Sequence, residues 1–267
     1  MVSAMAATRI PAVADIFYPA EPKVLRNEIG RMLAEASGVG PIPKALIVPH
    51  AAYRYSGPVA ASAYALLKPV RSGIERVVLL GPSHRVAFEG LATSTADRFA
   101  TPLGDIPIDR SAVHLSLKLP EVCLLDVAHQ YEHSLEVQLP FLQVSLECFS
   151  LVPFSVGQTH ADEVAELLDE LWGGDETLIV ISSDLSHYHD YCKAQLIDRE
   201  TTKIIEQFHW HKLDSHRACG FDGIRGLLQV ARKRGLQVNT VDVRNSGDTF
   251  GAKDQVVGYG SYVIYKE

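Results

Sequence analysis

Three apolar runs in this chain end on groups that can do chemistry. "LIVPH" closes on His50, "VVLLGPSH" on His84, and "LIVISSDLSH" on Asp184 and His187. Each run has the length and β-branched content of a buried strand. Polar groups just past the carboxyl ends of such strands lie where open parallel sheets bind ligands. A fourth cluster, "HQYEHSLEVQLPF" over 129–141, places Glu132 and His133 at the start of a helical pattern. Imidazole is a neutral metal ligand near pH 7 and equally an acid or a base. Two histidines with one carboxylate on an open cavity suit non-haem iron(II). With zinc, the same set leaves a position for a polarised water. A single histidine at a strand end is ordinarily a hydrogen-bonded cap, but that explanation gives no reason for three strand tips to repeat it at one edge. Together they favour a site.

The elements that must position these groups alternate along the chain. "KALIVPH" (44–50), "IERVVLLGPSH" (74–84), "CFSLVPFSVG" (148–157) and "ETLIVISSDLSH" (176–187) read as strands. "GPVAASAYALLKPV" (57–70) and "THADEVAELLDELWGG" (159–174) read as helices. In the second, Thr159 is the expected cap, and Glu163 and Glu166 come early, where the helix dipole favours acids. Continuous apolar strands alternating with helices imply a mostly parallel sheet covered on both faces. The 34 residues from His50 to His84 suit one strand–helix–strand crossover, which would set the two imidazoles side by side. "FATPLGDIPID" (99–109) reads as an inserted hairpin. "LQVNTVDVRNSGDT" and "VVGYGSYVIYK" alternate as antiparallel or edge strands do. No linker, repeat or charge block interrupts the chain, so one domain over 1–267 is expected.

Composition narrows the function classes. The chain has 267 residues, 47% hydrophobic and 21% charged, with a net charge of −7. The acidic balance argues against nucleic acid or an anionic membrane as a partner. No apolar run approaches the ~20 residues of a membrane span, and "MVSAMAATRIPAVADIFYP" lacks the basic-then-apolar layout of a secretory signal. Cys123, Cys148, Cys192 and Cys219 form no CxxC pair, which fits a reducing cytoplasm. No P-loop, G-x-G-x-x-G or G-x-S-x-G is present. His209, His211 and His216 fall in a helical pattern, "ETTKIIEQFHWHKLDSH", where surface or packing roles are expected.

Longer blocks carry a resemblance. "PAVADIFYPAEPKVL", "VPHAAYRYSGPVAASAY", "LLGPSHRV", "EHSLEVQLPFL", "ISSDLSHY" and "NSGDT…VVGYGSYVIY" are similar, in order and over nearly the whole chain, to the Memo-like family. Its bacterial and archaeal members are called AmmeMemoRadiSam system protein B. The family resembles class III extradiol dioxygenases, with their two-histidine, one-carboxylate iron site and α/β/α architecture. The resemblance therefore implies a three-layer α/β/α fold with a mostly parallel central sheet and antiparallel edge strands. It makes His50 and His84 metal ligands, with Asp184 and His187 lining the same pocket and Glu132 and His133 supplied by "EHSLE". Animal members carry a cysteine as the third metal-site residue. Here the aligned segment is "RNSGDTF", and the expected third ligand is the Asp248 carboxylate, which would restore an iron-friendly triad.

These readings lead to a metal-dependent oxidoreductase of dioxygenase type. Iron(II) is the first expectation for its metal, with copper or zinc as alternatives. His187, His133 and Asp184 would transfer protons, and Tyr53, Arg54 and Glu132 would bind a small-molecule or peptide ligand. The alternatives are a metal- or peptide-binding adaptor acting with radical SAM and AMMECR-type proteins, and a metal-assisted hydrolase.

Overall fold

The structure is a computed structural model, and it describes residues 7–267. Residues 1–6, the head of the stretch read as lacking a secretory signal, lie outside the described residues. The chain enters on β1 (Thr8–Arg9), α1 (Pro22–Glu35), β2 (Ala45–Val48), α2 (Tyr53–Tyr64) and β3 (Arg76–Pro82). It continues through β4 (Leu91–Thr93), the hairpin β5 (Arg98–Thr101) and β6 (Gly104–Pro107), α3 (Arg110–Ser116), β7 (Val122–Leu124), α4 (Val127–Gln130) and α5 (Gln138–Ser145). Then come β8 (Ser150–Val156), α6 (Ala161–Glu170), β9 (Thr177–Ser182), β10 (His187–His189) and α7 (Tyr191–Glu206). The chain closes with α8 (Phe221–Lys233), β11 (Gln237–Asn245), α9 (Ser246–Thr249) and β12 (Val256–Tyr265).

The centre of the sheet is β2, β9, β3 and β8, side by side in that order and all parallel. Every residue of β2 and of β9 is buried, which is why these strands read as unbroken apolar runs. Antiparallel strands close both edges. β12 pairs with β2, β10 and β11 on one side, and β4 pairs with β8 on the other. One register row carries Tyr262, Ile47 and Ile181 to a common face. There Tyr262 meets the Thr202 hydroxyl on α7, and Ile181 packs under Gly223 on α8. The next residue along β12, Ser261, donates instead to Val59 O on α2. Helices α2 and α7/α8 therefore cover opposite faces, and the fold is three-layer α/β/α. No helix of the described residues is long and apolar enough to cross a membrane.

Four expectations differ in detail. β9 runs between β2 and β3, so the strands bearing His50 and His84 are not neighbours. Helix α2 begins at Tyr53, four residues ahead of Gly57–Pro58. Gly57 serves instead as the close-approach point to α1, where a Cβ would lie 2.6 Å from Met32 Sδ. The cap of α6 is His160, whose N–H donates to the Glu163 carboxylate at 2.7 Å, while Thr159 Oγ1 donates to the same oxygen. The run over 200–216 does not stay helical. α7 stops at Glu206, and His209 and His211 sit about a short 3₁₀ turn.

Two buried carboxylates fasten the segments around the sheet edge. Glu136 pairs with Arg9, accepts the Tyr18 hydroxyl at 2.6 Å, and accepts the N–H groups of Ala12 and Val13. Arg9 also donates to the carbonyls of His129 and Glu132, so the N-terminal segment braces the loop that carries His133. Asp198, on α7, accepts the Ser186 N–H at 3.1 Å beneath Gly258, where a Cβ would lie 2.1 Å from its oxygen. Burial raises its pKa from 3.8 to about 6, against the Ser186 hydrogen bonds, which lower it.

Removing one partner of a buried pair leaves an unpaired charge, so Glu136→Ala should lose about 3–5 kcal/mol in urea unfolding. For Asp198 the folded pKa exceeds the unfolded value. Its contribution to stability is therefore full below pH ~3.8 and falls as pH rises through about 6. Asp198→Asn should remove that fall and stabilise the protein at pH 8 by on the order of 2 kcal/mol, read from unfolding curves across pH.

Candidate metal centre

Loops from four places converge at the carboxyl edge of the sheet. Past β2 the chain turns at Pro49 into His50, past β3 into His84, and past β9 into Asp184. The segment between α4 and α5 adds Glu132 and His133. The imidazoles meet although β9 separates their strands. Ring centroids are 5.3 Å apart for His50–His84, 5.5 Å for His50–His133 and 4.7 Å for His84–His133. One ring nitrogen from each lies within 4.8 Å of the others, the only such group of metal-ligating side chains among the described residues.

Hydrogen bonding fixes two of the three tautomers. Ser182 Oγ lies 2.6 Å from the Ser134 carbonyl, which only accepts, so the single hydroxyl proton goes there. Gln138 Nε2 donates to Ser182 Oγ and to Pro49 O, with Gln138 Oε1 accepting from Tyr64. His50 Nδ1, 2.9 Å from Ser182 Oγ, must therefore be the donor, which leaves the Nε2 lone pair free. His84 Nδ1 faces Glu132 Oε1 at 2.9 Å and donates to it, which frees its Nε2 as well. A carboxylate or hydroxyl behind a ligating imidazole is the arrangement that orients histidines on metals. Nδ1 of His133 is 3.3 Å from Glu132 Oε1, but off the direction of a hydrogen bond, and it is buried without a partner. That orphaned nitrogen and the two directed lone pairs fit a bound cation.

The electrostatics keep the His50 and His133 rings neutral. Burial, with His84 and His133 alongside, pushes the His50 pKa well below 6.5. Burial also brings His133 down to about 4, although Glu132 opposes it. Glu132 itself is held at about 2. Burial raises it, but the His84 ring and the backbone N–H groups of His84 and Ser134 outweigh that. Asp184 accepts the His50 N–H at 2.8 Å, and burial lifts it to about 6 despite His187. His187 Nδ1 faces the Leu185 carbonyl at 2.8 Å and so donates to it.

The expected site residues thus fall into two groups. His50, His84, His133, Glu132 and Asp184 are gathered at this edge, and His187 follows on the same segment as Asp184. Asp248 is held elsewhere. It is exposed on α9, where it accepts the Asn245 N–H at 2.9 Å and the Tyr191 hydroxyl. It caps that short helix, and the third side chain grouped with His50 and His84 is His133. Tyr53 is buried against Tyr18 and Phe141 and donates to Val137 O, a packing position. Arg54 is exposed, with its guanidinium over the rings of Tyr55 and Phe250. Ser182, Gln138 and Cys219 also stand at the site, with no pattern in the sequence to assign them there. The thiol of Cys219 lies 3.3 Å from His50 Nε2, and burial beside Asp184 pushes its pKa to about 12.

The family model for Memo-like protein matches residues 9–263. The chain belongs to the Memo-like family. A MEMO1 family protein of Sulfolobus acidocaldarius is 33% identical over 276 residues, covering 94% of this chain and 97% of that protein. One from Saccharolobus islandicus is 35% identical over 278 residues, with the same coverage. In the fold comparison, the crystal structure of the uncharacterized protein JW3007 from Escherichia coli K12 aligns with a TM-score of 0.51 at 13% identity. That match covers 83% of this chain and 99% of that one. At that identity the likeness is one of fold.

In this Memo-like chain Glu132 orients His84 through its charge. Glu132→Gln should leave the fold in place and weaken zinc or cobalt binding by ~10–100-fold, as titration calorimetry would read.

Proposed function

We infer that this Memo-like protein binds a first-row transition metal on His50, His84 and His133. Its reaction is of oxidoreductase type, on a small molecule, and related to ring-cleaving dioxygenases. The observation that carries the reading is the convergence of three ring nitrogens within 4.8 Å, drawn from three separate segments. When bound, the ion supplies Lewis acidity and, for iron or copper, a redox couple suited to oxygen chemistry.

The chain's own groups supply the rest. Ser182 and Glu132 hold the His50 and His84 rings so that each presents Nε2. Asp184 has its carboxyl poised at about 6, within the range of a proton carrier at neutral pH. His187, on the segment after Asp184, has Nδ1 tied to the Leu185 carbonyl, which leaves Nε2 to exchange a proton with substrate. A zinc-centred hydrolytic reaction is the second reading. It is favoured by the all-imidazole donor set, which suits zinc with an open position for water.

Elemental analysis of protein purified without chelators separates these readings. Iron or copper together with oxygen uptake on a catechol supports the oxidoreductase. Zinc with no oxygen uptake moves the reading to hydrolysis. A folded protein that takes up no added ion overturns both, and leaves a binding module acting with partners such as radical SAM and AMMECR-type proteins. His84→Ala and His133→Ala should each strip most of the bound metal while the thermal melt stays cooperative.

A further inference from the structure

We propose that the cleft beside the histidine cluster is the substrate pocket of the metal centre and takes an aromatic amine. Its ring lies against Phe88 and Phe221, and its ammonium group sits on the Asp222 carboxylate. That this ligand is a substrate rests on the metal reading above, whereas its chemical class rests on the cleft alone. The cleft holds about 500 Å³, room for a small organic molecule. Two of its lining residues tie it to the cluster. Cys219 lies against His50, with Sγ 3.3 Å from Nε2, and Ser83 directly precedes His84.

The walls are apolar and already in place. Val86, Phe88, Val156 and Phe221 supply the hydrophobic surface. The Phe88 carbonyl accepts the Gln158 N–H at 2.8 Å, and the Gly157 N–H donates to Gly90 O at 2.9 Å. Gly157 lets the two segments close on each other, since a Cβ there would lie 2.3 Å from the Phe88 carbonyl oxygen. A ligand therefore meets a formed wall and need not order a loop to bind.

The charge in the cleft is of one sign. Asp222 and Glu89 line it, and among the described residues no lysine or arginine does. Asp222 stands in the first turn of α8, where the helix dipole favours an acid. The dipole does not account for a carboxylate only 14% exposed with so little to bond it. One oxygen is 3.5 Å from Arg225, at the limit of a hydrogen bond. The other accepts none among the described residues and is still open to solvent. Burial lifts the Asp222 carboxyl to about 6, against Arg225 and His160, which lower it. The group is thus an anion at neutral pH and short of positive charge. An ammonium group supplies both charge and N–H donors, while an anionic ligand would be repelled by both acids. The rings of Phe88 and Phe221 suit an aromatic body on that amine.

Phenethylamine is the probe, with phenethyl alcohol and phenylacetate as its neutral and anionic counterparts. Saturation-transfer NMR titrations use the chelator-treated chain near neutral pH in ~0.15 M salt. The amine should bind at least ~10-fold more tightly than either counterpart. Asp222→Asn should remove that preference while leaving the alcohol as it was, and Phe88→Ala should weaken the amine and the alcohol alike. Equal affinity for the three probes, or an Asp222→Asn chain that keeps the preference, overturns the ligand class. Cobalt(II) tests the link to the metal centre. In the cobalt-loaded chain the amine should shift the visible bands, and Asp222→Asn should lose that shift at the same amine concentration. A bound amine that leaves the bands unmoved overturns the substrate assignment. A chain that binds the amine but takes up no cobalt overturns the metal reading, and with it the substrate assignment, and leaves an amine cleft. Circular dichroism reports whether the Asp222→Asn chain folds. If it does not, the ranking of the three probes on the unsubstituted chain decides alone.

Discussion

A carboxylate taken out of water demands donors on every side, and Glu132 gets them. Its two oxygens accept the backbone N–H groups of His84, His133 and Ser134 and the ring N–H of His84. Burying an ion of this size costs several kcal/mol unless such bonds offset it. Once they do, the loop after β3 and the segment between α4 and α5 have one arrangement relative to each other. The stacking of the His84 and His133 rings is a by-product of that arrangement, as is the direction of the His84 lone pair. Arg9 carries the same constraint outward, since its guanidinium grips the Glu132 carbonyl and the Glu136 carboxylate together.

The parallel sheet supplies the other half of the positioning. With β9 between β2 and β3, two inter-strand spacings, roughly 9–10 Å, separate the strands that lead to His50 and His84. The rings meet because the segments past the strand tips fold inward over β9. Ser182, the last residue of β9, fills the gap with a hydroxyl rather than a methyl group. The intervening strand thus contributes the hydrogen bond that sets the tautomer of its neighbour's histidine.

Much of this was legible in the sequence. The buried strands, the hairpin at 99–109, the antiparallel tail, and the placing of His50, His84 and Asp184 at one edge all follow from apolar runs that end on polar groups. The third member of the histidine cluster was not. Asp248 sits in a segment whose Asn245–Asp248 spacing is a helix-capping pattern, and the carboxylate is used for that. Tyr53 lies close to His50 in the chain, but the first turn of α2 points its ring into the core. Cys219 is 169 residues from its His50 partner, and no local pattern marks it. Contacts between distant loops depend on how those loops fold over the sheet edge, and strand and helix periodicity carries no record of that.

The three imidazoles are unequal in their access to water. His50 is buried, the His133 ring is mostly covered, and the His84 ring faces solvent with 30% of its surface open. Under the proposed metal reading, a hydrated ion approaching from outside would meet His84 first and His50 last. Capture and retention would then fall to different residues. His84 would govern how fast an ion is taken from solution, and His50, sealed against Ser182 and Gln138 at the floor, how slowly it leaves.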